Sequence, residues 1–285
     1  MARLPACRNR TTGKQQRHPR RKNHGKRTMT ALITGASGGI GAELARLFAK
    51  DGIDLLLVAR TAEKLLALQS ELEADCHVSV SVLAKDLSED GAAQAVFDFA
   101  QANHISVDVL VNNAGFGDWG FFAESDLAKQ RQMIQLNIAA LTELTRLFLP
   151  AMIARKNGRI LNVASVASFM PGAKMSVYYA TKAFVRSFSE ALSVELKKMK
   201  SGVLVTALCP GPVKTEFWNR AEAESSGLFR HFFFADSASV ARYGYRAMKK
   251  GKTLAIPGLS VRIAVALARI LPRAFVRNLV YAAQK

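Results

Sequence analysis

From Met29 onward the sequence alternates short branched apolar runs with longer amphipathic ones, and this alternation leaves few folds open. TALIT (30–34), IDLLLVA (53–59), HVSVSVLA (77–84), VDVLVNNA (107–114), RILNVAS (159–165) and GVLVTALCP (202–210) read as strands, with KTLAIPG (252–258) as a seventh. Between them, 40–52, 62–74, 88–103, about 126–156 and 178–198 read as helices, and Pro150 is expected to end or kink the fourth. Strands that are apolar on both faces and separated by helices form a parallel sheet covered on both sides. Right-handed crossovers then give an α/β, doubly wound, mostly parallel seven-stranded sheet.

Charge marks the boundaries of this unit. The net charge of +18 invites a nucleic-acid reading, but residues 1–28 hold ten Lys or Arg and no acid, and residues 237–285 hold another ten and again no acid. The middle, 29–236, is nearly balanced. The chain therefore divides into a basic segment 1–28, a catalytic unit 29–258 with a substrate lid over about 216–235, and a basic amphipathic extension 259–285. The first segment reads as a disordered tail or as residues upstream of a native start at Met29. It has no apolar run, so it cannot be a secretory signal. No run of eighteen uninterrupted apolar residues occurs. Cys7, Cys76 and Cys209 are too few and scattered for a disulfide framework, which points to a reducing, cytoplasmic setting.

The first strand runs into TGASGGIG and then into a helix. Glycine lets the backbone turn tightly and approach a phosphate, and the helix N-terminus offers free N–H groups and a positive dipole end to a pyrophosphate. The spacing Thr34-Gly35-x-x-x-Gly39-x-Gly41 differs from the commoner GxGxxG. It is followed in order by Asn112-Asn113-Ala114-Gly115, Asn162-Val163-Ala164-Ser165, Tyr178-x-x-x-Lys182 and Pro210-Gly211-Pro212-Val213-Lys214-Thr215. On these residues, from 29 to 215, the sequence resembles the short-chain dehydrogenase/reductase family.

The resemblance implies a Rossmann-type sheet and hydride transfer between a nicotinamide and a carbonyl/alcohol pair. Negative charge developing on the carbonyl oxygen needs a proton donor and hydrogen-bond support. An unperturbed tyrosine, with a pKa of about 10, is a poor donor at neutral pH unless a neighbouring ammonium lowers that value. Helical adjacency allows either Tyr178 or Tyr179 to pair with Lys182. The family's four-residue spacing selects Tyr178, and Ser165, thirteen residues upstream, matches its serine; Tyr179 becomes a packing or pocket neighbour. By resemblance, Ser165 hydrogen-bonds the substrate carbonyl, Lys182 also holds the nicotinamide ribose, and Asn137 anchors a water that links Lys182 to solvent. Ser168 is the rival to Ser165.

The same resemblance assigns cofactor contacts to Gly35, Ser37, Gly39, Ile40 and Gly41, to Asn113, Ala114 and Gly115, and to Asp86 and Leu87 at the adenine. Val213 and Thr215 match its carboxamide contacts. NAD-specific sheets of this kind carry an acid near the end of the second strand. That corner reads Val58-Ala59-Arg60-Thr61. A carboxylate there would repel a 2′-phosphate and Arg60 can pair with one, so NADP(H) is the expected cofactor.

Toward the substrate, FGDWGFF (116–122) and the aromatics Phe217, Trp218, Phe229 and Phe232 to Phe234 suggest an apolar ketone or alcohol. In VRIAVALARILPRAFVRNLVYAAQK, Arg262, Arg269, Arg273 and Arg277 fall within about an 80° arc of one helix, with Pro272 expected to make a kink or two short helices. Such an element can dock on the cleft, join an oligomer interface or lie on an anionic membrane surface. Homo-oligomers are common in the family, and no specific nucleic acid is expected. The histidines and cysteines show no metal-ligand spacing, and no GxSxG elbow occurs. A non-catalytic dinucleotide-binding regulator or scaffold remains as the alternative function.

Overall fold

The computed structural model describes residues 28–213 and 234–284. Seven strands form one sheet in the order β3-β2-β1-β4-β5-β6-β7: β1 (Thr30–Thr34), β2 (Asp54–Ala59), β3 (Val80–Ala84), β4 (Val107–Asn112), β5 (Gly158–Val163), β6 (Val203–Leu208) and β7 (Leu254–Ala255). Every neighbouring pair is parallel. The helices are α1 (Gly39–Lys50), α2 (Ala62–Cys76), α3 (Ala92–Ala102), α4 (Leu127–Ile134), α5 (Leu141–Ala154), α6 (Ser176–Lys198), α7 (Ser237–Lys249), α8 (Leu259–Ile270) and α9 (Arg273–Ala283).

The strand sequences explain the two covered faces. Along β1, Ala31 and Ile33 join one core with α1, α2 and α7, whereas Leu32, between them, joins a second core with α3, α5 and α6. Leu32 lies level with Leu56 of β2 and Leu110 of β4, which repeat its orientation. The chain winds from β1 outward to β3, then returns to place β4 beside β1. This reversal opens a crevice at the carboxyl ends of β1 and β4, where such sheets bind ligands.

The expected long fourth helix is one continuous run in three windings. Between α4 and α5, residues Gln135–Ala140 form a π turn. Pro150 neither ends nor breaks α5, which continues to Ala154. Pro150 is on the exposed side, so the carbonyl it cannot satisfy faces water. The run Leu127–Ala154 has the length and composition to cross a membrane. Leu141, Leu144, Phe148 and Met152 nevertheless pack into the cores of this fold.

A buried polar ladder crosses the middle of the sheet. The Asn112 side-chain amide donates to Thr145 at 3.1 Å and to the Asn162 carbonyl oxygen at 2.9 Å, and Asn162 donates to Ser189 at 2.9 Å. Thus β4 and β5 are tied to α5 and α6 behind the crevice. Asn162→Ala deprives two buried groups of partners and is expected to lower unfolding free energy by about 2–3 kcal/mol. Urea denaturation of the cofactor-free protein measures this; a loss below about 0.5 kcal/mol would remove the ladder's structural role.

Candidate active site

The glycine-rich turn joins β1 to α1, and sequence and geometry agree there on why glycine is needed. Gly35 has φ of 64°, and a Cβ on it would sit 2.9 Å from the Ala114 backbone. A Cβ on Gly41 would overlap the Gly35 carbonyl and lie 2.6 Å from the Asn113 side chain. No side chain caps the first turn of α1, so its N–H groups are left for a ligand.

Asn113 and Thr34 fasten this turn to the end of β4. The Asn113 amide donates to the carbonyls of Thr34 at 3.0 Å and Gly35 at 3.1 Å. The Thr34 hydroxyl accepts from the backbone N–H groups of Asn113 and Ala114, both at 3.0 Å. Asn113 therefore shapes the cradle through its amide nitrogen. Nothing local in the sequence marks Thr34 for this role, since both of its donors lie far along the chain.

Ser165, Tyr178 and Lys182 converge at the carboxyl end of β5. Ser165 precedes a 3₁₀ turn (Val166–Phe169), and its hydroxyl accepts from the Ala167 N–H at 3.1 Å. Lys182 is 5% exposed; its ammonium donates to the Val163 carbonyl at 2.8 Å and lies 5.8 Å from the centre of the Tyr178 ring. Burial lowers the Lys182 pKa to about 8. Tyr178 keeps part of its surface open to the cleft, yet protein crowds it enough that desolvation raises the phenol pKa, partly offset by a hydrogen bond with Ser165. Lys182 is expected to lower the Tyr178 pKa; in the protein alone it is raised instead, with desolvation the largest influence.

Asn137 sits in the π turn, 1% exposed. Its side chain clasps the Phe116 backbone, donating to the carbonyl at 3.0 Å and accepting from the N–H at 3.2 Å. It also donates to the Thr181 hydroxyl at 3.0 Å, which in turn donates to the Tyr178 carbonyl at 2.8 Å. Asn137 thereby links the loop after β4 to the helical turn that carries Tyr178. The sequence reading missed Thr181. Ser168 turns away from the cleft, donating to the Ser165 carbonyl at 2.6 Å with its oxygen 4.0 Å from the Cys209 sulfur.

Ser165, Tyr178 and Lys182 line one cavity of about 810 Å³, which Asn137 and Thr181 support from behind. Gly35, Ser37, Gly39, Ile40, Arg60, Asp86, Leu87, Asn113, Ala114, Gly115 and Val213 all border it, whereas Gly41 stands behind the turn. Thr215 lies outside the described residues, as does most of the expected lid. Arg60 is exposed and its guanidinium is 3.5 Å from Asp86. Burial alone would raise the Asp86 pKa, but hydrogen bonds from the Ser88 N–H and hydroxyl, together with Arg60, hold it below the usual carboxylate range.

The far wall departs from the aromatic pocket expected from sequence. In 116–122 only Phe116 reaches the cavity; Phe121 and Phe122 are exposed, and Trp119 and Phe121 instead stack under Lys174. Phe217, Trp218, Phe229, Phe232 and Phe233 lie outside the described residues. The wall is largely aliphatic and comes from α8, α9 and the link between them, including Val261, Val265, Leu271, Val276 and Val280. Leu271 is extended and Pro272 precedes α9, so the basic extension is two helices docked across the cleft and the four arginines share no single helical face. Arg269 and Arg186 both lie over the Phe169 ring, 5.2 and 4.5 Å from its centre.

A doubly wound sheet with a phosphate cradle at its switch point, and a Ser, Tyr and Lys gathered beside it, defines a nicotinamide-dependent oxidoreductase. The sequence model of the family described as short chain dehydrogenase matches residues 29–226, and this chain belongs to that family. A short chain dehydrogenase of Pseudocercospora fijiensis is 36% identical over 189 residues, which span 66% of this chain and 60% of that relative. A Sphingobium yanoikuyae short-chain dehydrogenase solved in complex with NADPH superposes with a TM-score of 0.76 at 34% identity, covering 85% of this chain and 94% of that one. A Burkholderia phymatum homologue solved in complex with NAD gives 0.75 at 26% identity, covering 84% and 92%.

Proposed function

We propose that the chain is an NADPH-dependent reductase of apolar ketones, or in reverse a dehydrogenase of the secondary alcohols, with Tyr178 as acid–base. The observation that carries this is the meeting of Ser165, Tyr178 and Lys182 on one side of a cavity whose opposite wall is aliphatic. The uncapped turn of α1 suits a pyrophosphate, and Arg60 suits a 2′-phosphate just beyond β2, whose carboxyl end carries no acid. When bound, the reduced nicotinamide supplies the hydride. Tyr178 arrives protonated, because its desolvated phenol resists ionisation, and gives its proton to the carbonyl oxygen. Ser165 hydrogen-bonds the same oxygen, while Lys182, anchored on Val163, places positive charge beside the emerging phenolate.

A panel of ketones and alcohols with NADPH and NADH tests this reading. Turnover of apolar ketones with NADPH is expected; no turnover of any member with either cofactor would favour a non-catalytic dinucleotide-binding role. Arg60→Ala is expected to weaken NADPH binding about 10- to 100-fold, the worth of a charge-assisted hydrogen bond, while NADH binding stays within a factor of two. Equal losses for both cofactors would remove Arg60 from 2′-phosphate recognition.

The outer face of α8 and α9 favours a second reading, contact with an anionic lipid surface. Leu259, Ile263, Ile270 and Phe275 are more than half exposed there, with Ile270 at 81%, and exposed Arg262, Arg273 and Arg277 lie among them. Apolar anchors mixed with cations, and no acid from 237 to 285, complement a bilayer rich in phosphatidylserine. The full chain should sediment with phosphatidylserine vesicles and not with phosphatidylcholine ones, and Ile270→Asp with Phe275→Asp should abolish this. Unchanged sedimentation of the double variant, or a dimer that these substitutions dissolve, overturns it.

A further inference from the structure

The extension brings two polar side chains to the aliphatic wall of the cavity, and the reaction uses neither: Ser260 is exposed, whereas Gln284 is buried. Gln284 follows the last turn of α9, where its backbone N–H donates to the Tyr281 carbonyl at 3.1 Å. Its side chain is turned inward, leaving the residue 1% exposed, and it borders the cavity. The amide nitrogen donates to the Tyr179 hydroxyl at 3.1 Å. The amide oxygen is buried and has no hydrogen-bond partner among the described residues. Turning the amide around only exchanges which of its two polar atoms is left without one. A buried amide in that condition is unfavourable unless something else completes it.

Tyr179 is held where it meets Gln284. Its ring packs against Gly172, where a Cβ would overlap the ring carbons, and stands at 79° to the Tyr178 ring with centroids 6.1 Å apart. Its hydroxyl oxygen accepts from Gln284, so its own hydrogen remains to be donated. Burial pushes this phenol up to about 12, keeping that hydrogen in place across the physiological range. An acceptor and a donor therefore stand side by side in an apolar wall, on the residue next to the proton donor of the reaction.

We propose that Gln284 and Tyr179 form a polar pole of the substrate cavity that takes a neutral hydroxyl, carried by the substrate at a distance from its reacting carbonyl. A hydroxyl donates to the Gln284 oxygen and accepts from the Tyr179 hydroxyl, completing both groups. A carboxylate fits less well, because the cations that border the cavity, Arg60, Lys85 and Lys182, stand on the cofactor side and not on α8 or α9. The preferred substrate is then an apolar ketone with a remote alcohol or phenol. The assignment rests on the ketone-reductase reading for its catalytic half, whereas binding of the hydroxyl does not require turnover. Gln284 also lies beyond the 29–226 region matched by the family, so this preference belongs to the extension of this chain.

Matched aryl ketones test it with the full-length enzyme and NADPH: 4-(4-hydroxyphenyl)butan-2-one against 4-(4-methylphenyl)butan-2-one, and homologues with one and two more methylenes. For at least one chain length the hydroxyl compound should have kcat/KM about tenfold higher, expressed mainly in KM, since one extra hydrogen-bonded group contributes about that much. Gln284→Leu should lower kcat/KM for the hydroxyl ketone at least tenfold more than for its methyl partner, and Tyr179→Phe should do so in part. Absence of discrimination at every length, or equal losses on both members of the pair in Gln284→Leu, overturns the proposal. Calorimetric binding of 4-propylphenol against 4-propyltoluene decides it without turnover. Selective phenol binding that Gln284→Leu removes supports the pole even where no ketone is reduced, an outcome that would count only against the reductase reading. Equal binding of the two probes overturns the pole.

Discussion

Tyr178→Phe is expected to lower ketone turnover by about 100- to 10,000-fold, the loss typical of a positioned acid–base group, while leaving dinucleotide affinity within a few-fold. The change removes one oxygen and keeps the ring that packs across Tyr179. That oxygen is the one hydrogen-bonded with Ser165, and the Lys182 ammonium lies over the same ring. The cofactor cradle is built from other residues, chiefly the β1–α1 turn and the Asn113 clasp, so binding survives. Single-turnover rates and a fluorescence titration of the cofactor separate the two effects. A variant with near-parental turnover would falsify the acid–base role.

Gly41→Ala produces the second large effect, this time on binding. The new Cβ would overlap the Gly35 carbonyl and crowd the Asn113 amide that clamps this carbonyl to the end of β4. Overpacking of this kind costs about 2–3 kcal/mol. If the strain is relieved by opening the turn, dinucleotide affinity falls about 30- to 150-fold. If it is retained, the cofactor-free protein melts at lower temperature by the corresponding amount. Titration and thermal denaturation together account for the strain, and an alanine variant unchanged in both would show that the turn is not closed as described.

The sheet was legible because its information is local and repetitive. Alternation in TALIT and DLLLVA is enough to place Leu32 and Ile33 on opposite faces, and all seven strands formed in parallel. The residues Ser165, Tyr178 and Lys182 were legible through spacing, since an i, i+4 pair on a helix meets wherever the helix goes. Three features escaped for separate physical reasons. The sign of the Tyr178 shift depends on how much protein surrounds the phenol, which only packing reveals. Thr34 and Thr181 act through backbone groups far away in sequence, so no local pattern marks them. The aromatic segment 116–122 was read as a pocket wall from composition, yet Phe121 and Phe122 face outward, and α8 and α9 supply the wall instead.

The π turn between α4 and α5 gives this helix an unusual kind of fragility. Within it Asn137 must point at Phe116 and Thr181, and just beyond it Leu141 and Leu144 must point into the cores. A π turn amounts to one residue more than an α-helix would use for the same stretch. Removing a single residue there restores regular winding without breaking the helix, but rotates everything on one side by about 100° relative to the other. Residue number in Gln135–Ala140 thus stores an angle. Apart from Asn137, homologous sequences should tolerate exchanges of side chain in this segment far more readily than any insertion or deletion, even though its middle positions look like ordinary helix.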